Sequence, residues 1–239
     1  MLDGPIEHSE SADPDNNQDD MIRAVRDFEA EMEAASDHLS LVIKAYYAIE
    51  KKVESALLNA LPAPDRLELR RISFLLKIDI LIALGFLPQP LRPLFDRINS
   101  IRNIYAHDPH KVLSEGDFSN LKSVLKAHVP NIQKIEVPNA IGSLKTLFTV
   151  TFLHSYMAME RTAKHKAGNY VNSLYIEEVR RDKQVRVDHK TLTDIDAEIE
   201  FKLKDYVAKN FPEFDTESFI RDLLPSRITP NKQKEGEAF

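Results

Sequence analysis

The amino-acid sequence predicts an all-α protein, an antiparallel helical bundle with a mainly helical C-terminal extension. Three observations lead there. The 239 residues include only 6 glycines, and Leu, Ile, Ala, Glu and Lys, all good helix formers, are abundant. Apolar residues recur at helical rather than alternating spacing through most of the chain. Proline or glycine stops separate these stripes by short polar connections, the pattern of antiparallel neighbours in a bundle.

Residues 1–20 carry seven acids, no Lys or Arg and few large apolar groups; that composition predicts a disordered acidic tail. Helical periodicity begins near Met21. The segment DHLSLVIKAYYAIEKKVESALLNAL starts on Asp37, a suitable N-cap, and runs a stripe through Leu39, Val42, Ile43, Tyr46, Ile49, Val53, Leu57 and Ala60. LPAP ends it. Asp65 is placed to cap the next helix, RLELRRISFLLKIDILIAL, whose second half is apolar nearly all round and reads as a central, well-buried element. Gly85 and LPQP stop that helix.

A further helix, LRPLFDRINSIRNIYA, takes Pro90 or Pro93 into its first turn. Leu91, Leu94, Ile98, Ile101 and Tyr105 form its stripe, and Pro109 stops it near Asp108. GDFSNLKSVLKAHV closes a bundle expected over residues 21–130. Residues 137–226 form the mainly helical extension. There, 137–166 read as one long helix, 168–190 could equally form a short hairpin, and DIDAEIEFKLKDYVAKNF and DTESFIRDLL read as two more helices. Residues 227–239 are expected to be a disordered tail.

Composition narrows the function classes. With no cysteine, disulfides and thiolate metal sites are excluded, and a reducing cytoplasm is the expected setting. The longest apolar run, FLLKIDILIALGFL, is broken by Lys77 and Asp79 and is short of the roughly 20 residues that span a bilayer, so no membrane association is expected. The net charge of −6 is set by the first 20 residues; the remainder holds 32 basic against 31 acidic residues. Gly-rich phosphate loops, nucleophile elbows and H-E-x-x-H are all absent from the sequence.

The stretch NSIRNIYAHDPH, residues 99–110, stands out. Arg102, Asn103 and His107 gather where a helix is ending. At about 100° per residue, Arg102 lies roughly 40° from the centre of the buried stripe, and His107 could swing back toward it if the chain turns at Asp108-Pro109. A guanidinium at a core edge needs an acid or a phosphate. Glu50 sits on the apolar stripe of its own helix, four residues after Tyr46 and three before Val53, and an acid there is usually paired. Glu50 is therefore the expected partner of the Arg102 region.

IRNIYAH resembles the R-N-x-x-A-H form of the signature of the HEPN superfamily, all-α domains found in many prokaryotic toxins and antiviral nucleases. The flanks HLSLVIKAYYAIEKKVE and LRRISFLLKIDILIALG are similar to small HEPN-like proteins, and more loosely to the mannitol-operon repressor family. The resemblance covers about residues 30–130. It implies metal-independent RNA cleavage by homodimers, with the arginine–histidine motifs of two protomers meeting across a two-fold axis. Arg102, Asn103 and His107 match the signature; Glu50 is not part of it. RNA brings its own nucleophile, the 2′-hydroxyl. A histidine near neutrality can take or give the proton, and an arginine can grip phosphate oxygens and stabilise developing charge. No cofactor or metal is called for.

The expected function is thus an endoribonuclease, as in a toxin or antiphage defence effector. The alternative is a non-catalytic regulator or antitoxin-like protein on the same fold that binds a protein partner. RNA contacts are expected from the basic segment 161–190, through Arg161, Lys164, Arg180, Arg181, Lys183 and Arg186, with Tyr170 and Tyr175 as stacking surfaces. His107, Asp108 and His110 are metal-capable types, but without a second ligand cluster a solvated loop is the better reading.

Overall fold

The computed structural model describes residues 16–111, 114–128, 139–184 and 192–224. Among them every regular element is helical: α1 (Asn16–Glu33), α2 (His38–Ala60), α3 (Phe74–Ala83), α4 (Arg92–His107), α5 (Glu115–His128), α6 (Ala140–Gln184), α7 (Leu192–Asn210) and α8 (Thr216–Leu223). The all-α expectation holds. None of the described helices is long and apolar enough to cross a membrane.

Local chemistry sets most of the boundaries. The Asp37 side chain accepts from the Ser40 N–H at the start of α2, and Ser73 and Asp215 cap α3 and α8 in the same way. Gly85, with φ of 78°, ends α3. Its N–H reaches the Ile82 carbonyl while that of Phe86 reaches Leu81, a paired closure that needs a residue tolerant of the left-handed region.

Four sequence expectations are corrected. The helix expected from Asp65 begins only at Phe74; Pro64–Arg66 and Leu69–Arg71 are single 3-10 turns without a buried residue, and a helix that buries no face has little to stabilise it. α3 is also not central, since Leu76 and Leu84 are exposed. Residues 168–184 continue α6 rather than turning back in a hairpin, because Val171, Leu174 and Glu178 are buried at helical spacing. Finally, α1 starts before Met21. Asp20 is 6% exposed; it takes Arg23 as an ion-pair partner and accepts from the Asp215 N–H at 2.8 Å. That tertiary contact spans 195 residues and ties α1 to the start of α8.

The central element is α6. It packs on α1, α2, α4, α5, α7 and α8, most extensively on α2, and one hydrophobic core runs through all of them. α2 buries Leu41, Val42, Ala45, Ile49, Val53, Ala56 and Leu57, while Ile43 of the expected stripe faces outward. Phe28 of α1 stacks on Phe152 of α6 at 4.2 Å. Each fully buried Leu, Ile or Phe contributes about 1.5–3 kcal/mol, so the α2–α6 seam dominates the packing.

On another side of α2, Lys77 of α3 is 2% exposed and its Nζ lies 2.8 Å from Glu50 Oε1 and 2.6 Å from Glu54 Oε1. Burial alone would push the ammonium down, but the hydrogen bonds and charges of Glu50 and Glu54 outweigh it and hold Lys77 above its ordinary 10.5. Lys77→Ala strands two neighbouring carboxylates and is expected to lower the unfolding free energy by about 3 kcal/mol, measured by denaturant titration. Because the folded value is raised, the Lys77 contribution is complete below pH 10.5 and is lost as pH climbs through the folded value. Unfolding midpoints of the parent should therefore fall in that alkaline window, while those of Lys77→Ala change less.

Candidate functional site

α4 carries the R-N-x-x-A-H segment on a helix whose inner face is full. Leu94, Phe95, Ile98, Ile101 and Tyr105 are buried, and the polar residues between them are left to the edges. Arg102, Asn103 and His107 are all exposed. The Arg102 guanidinium lies over the Tyr46 ring of α2 at 5.6 Å, and its Nη1 donates to Asn103 Oδ1 at 3.2 Å. The Tyr46 hydroxyl donates to Asn99 Oδ1 at 3.2 Å. Burial, and then the charge of Glu50, push the Tyr46 phenol up, with Arg102 pulling the other way. Tyr46 therefore stays a donor at any physiological pH.

Glu50 does not pair with Arg102. Its carboxylate goes to Lys77 of α3 instead. His107 does not swing back either. The helix runs through it, with Asp108 as the C-cap, so Arg102 and His107 project roughly 140° apart around the axis. His107 instead faces an open groove of about 730 Å³, lined also by Asn99, Asn103, Lys111, Asp117 and Leu75. Arg102 is not part of that lining. Asn103 is the element between them, bonded to Arg102 on one side and open to the groove on the other.

Within the groove the acids are already engaged. Asp117 accepts from the Ser114 hydroxyl at 2.7 Å and its N–H at 3.0 Å, and these bonds, the hydroxyl first, hold its carboxyl below the usual range. Asp96 pairs with Arg92, and Asp108 accepts from the His110 N–H at 3.3 Å. Among the described residues His107 has no hydrogen bond or ion pair, and no three His, Asp or Glu side chains converge as a metal-ligand set.

Among the described residues of the basic segment, the cations do not form one surface. Lys164 is bound to Glu160 at 2.7 Å and to Asp222 at 2.8 Å, so it links α6 to α8 rather than facing a ligand. Arg161 and Arg180 are exposed but lie about 28 Å apart along α6. The side chains of Arg181 and Lys183, and the whole of Arg186, fall outside the described residues. Tyr170 stacks on Tyr206 at 4.0 Å and Tyr175 donates to Asp196. Tyr170 thus spends its ring, and Tyr175 its hydroxyl, on the contact with α7.

Sequence reasoning missed Tyr46 and Asn99 as site residues. Tyr46 was assigned to the core stripe, where its ring belongs, but its hydroxyl reaches out to α4. Asn99, Asn103 and His107 recur at i, i+4 and i+8, and that spacing was the available signal of a polar face. Compared with family models, with curated proteins and with solved structures, the chain matches none.

Arg102→Ala, Asn103→Ala and His107→Ala are each expected to change the unfolding free energy by less than about 1 kcal/mol, because exposed side chains contribute little to stability and the contact of Arg102 with the Tyr46 ring is itself at the surface. Thermal or urea unfolding of the three variants checks this. A loss of several kcal/mol would mean that the motif serves the fold.

Proposed function

We propose that this protein is an endoribonuclease of the HEPN type that acts as a homodimer. One observation carries the reading: Arg102, Asn103 and His107 all lie in the last two turns of α4, exposed and outside the core that stabilises the helix, with Asn103 linking the arginine to the groove that His107 lines. An amide and an imidazole on a solvent-facing groove, with a guanidinium bonded to that amide just outside it, suit a ligand better than a scaffold.

In one copy Arg102 and His107 face different sides of α4, so a single chain offers half a site. Two copies related by a two-fold axis perpendicular to α4 would set the two helices antiparallel and bring the arginine of each level with the histidine of the other. One His107 then takes the proton from the ribose 2′-hydroxyl as its oxygen attacks the adjacent phosphorus. The second His107, protonated, gives its proton to the departing 5′-oxygen as the P–O5′ bond breaks. The two Arg102 side chains hold the non-bridging oxygens as charge builds on them. The products are a 2′,3′-cyclic phosphate and a 5′-hydroxyl.

A specific observation favours a second reading. Arg102 is seated on Tyr46 and tied to Asn103, which is a finished arrangement in the monomer. A non-catalytic regulator that presents this face to a protein partner would look the same. Incubation of the purified protein with mixed RNA in EDTA separates the two. The ribonuclease reading expects cyclic-phosphate products, and a drop of at least about 100-fold in rate for His107→Ala. Intact RNA, or equal cleavage by His107→Ala, overturns it.

A further inference from the structure

The groove beside His107 holds more recognition chemistry than cleavage requires. Asn99 and Asn103 lie one turn apart on α4, and both line it. Arginine can only donate, so the Asn103 atom that meets Arg102 Nη1 is its oxygen. The Tyr46 phenol, held protonated, donates to the oxygen of Asn99. Both amide oxygens are taken by neighbours outside the groove lining, and both NH₂ groups are left as donors. On the same groove Asp96 and Asp117 each bind a protein neighbour through one oxygen, Oδ1 and Oδ2 respectively, and keep the other as an acceptor, while Leu75 and Ile104 give an apolar wall.

This mixture is wrong for a phosphate. Asp96, Asp108 and Asp117 face the groove with Lys111 as the cation among its lining residues, and closely placed carboxylates repel an anion. It does suit the edge of an unpaired base, which presents donors and acceptors side by side around a flat apolar ring. The phosphates would stay at the edge of the groove, between His107 and the Arg102 of the second copy, rather than inside it. We propose that the groove is a nucleobase subsite that holds one unpaired base of the RNA strand. Asn99 is its specificity-determining residue, and Tyr46 is a positioning residue that orients the Asn99 amide. The proposal rests on RNA being the ligand.

The test measures binding, so that it does not depend on cleavage. Labelled single-stranded homopolymers of A, C, G and U are titrated in EDTA with the full-length His107→Ala chain, and affinity is read by fluorescence anisotropy. The four affinities are expected to spread by about tenfold or more, as base-edge recognition does. In that background Asn99→Asp keeps an acceptor for Tyr46 but replaces the NH₂ donor with a carboxylate oxygen. It should weaken the preferred homopolymer by about tenfold and flatten the preference. Tyr46→Phe keeps the ring under Arg102 and frees the amide; the loss should be smaller but in the same direction. Equal affinity for all four homopolymers, or an unchanged preference in Asn99→Asp, overturns the subsite. If the parent binds RNA with a base preference yet does not cleave it, the ribonuclease reading fails and the subsite stands. If the parent cleaves while Asn99→Asp leaves the preference untouched, the subsite fails and the ribonuclease reading stands. Absence of RNA binding removes both.

Discussion

The seam between α2 and α6 is the constraint on which the other contacts depend. α6 is 45 residues long, long enough for α1, α2, α4, α5, α7 and α8 to pack along it. Ala45 and Ala56 of α2 and Ala158, Ala163 and Ala167 of α6 are among the buried residues; small side chains let two backbones approach closely. With its inner face committed to α6, α2 has its remaining flank free for α3 and α4. Among the described residues, the Lys77 ion pairs and the Tyr46–Arg102 contact lie on that flank.

Two polar devices on the flank do different work. Lys77 between Glu50 and Glu54 is structural. It joins α3 to α2 through charges that are costly to bury singly and tolerable together. Tyr46 is the other. Its ring is buried against Phe74 at 4.9 Å and its hydroxyl reaches Asn99, while Arg102 rests on its outer face. One side chain thus connects the core to the two amides and the guanidinium of α4. The site borrows its rigidity from the packing beneath it, as a precise polar arrangement must.

The same economy explains where the basic segment went. A cation on a helix that neighbours other helices finds a carboxylate before it finds a ligand, as Lys164 finds Glu160 and Asp222. Tyrosines beside a second helix stack on it, as Tyr170 does on Tyr206. A run of Lys, Arg and Tyr in sequence is therefore no guide to a nucleic-acid surface until the helix faces are known. Arg102 and His107 escape that fate: both are exposed near the end of α4, and among the described residues neither meets a carboxylate.

What the sequence determined by itself was local. Apolar stripes, the Asp37 cap and the stop at Gly85 depend on residues within a turn or two, so the helical class and most helix positions were legible. So was the gathering of Arg102, Asn103 and His107 at one helix end, since spacing on a helix is arithmetic. What only the tertiary structure decided was partnership. Glu50 was rightly singled out as an acid that needs a cation, but Lys77 and Arg102 were both available, and the choice follows from how α3 lies on α2. Asp20 was read as part of a tail because its partner, the Asp215 N–H, is 195 residues away. Periodicity reports which face a residue occupies; which neighbour occupies the opposite face is a property of three dimensions, and the pairing of charges and amides depends on the second.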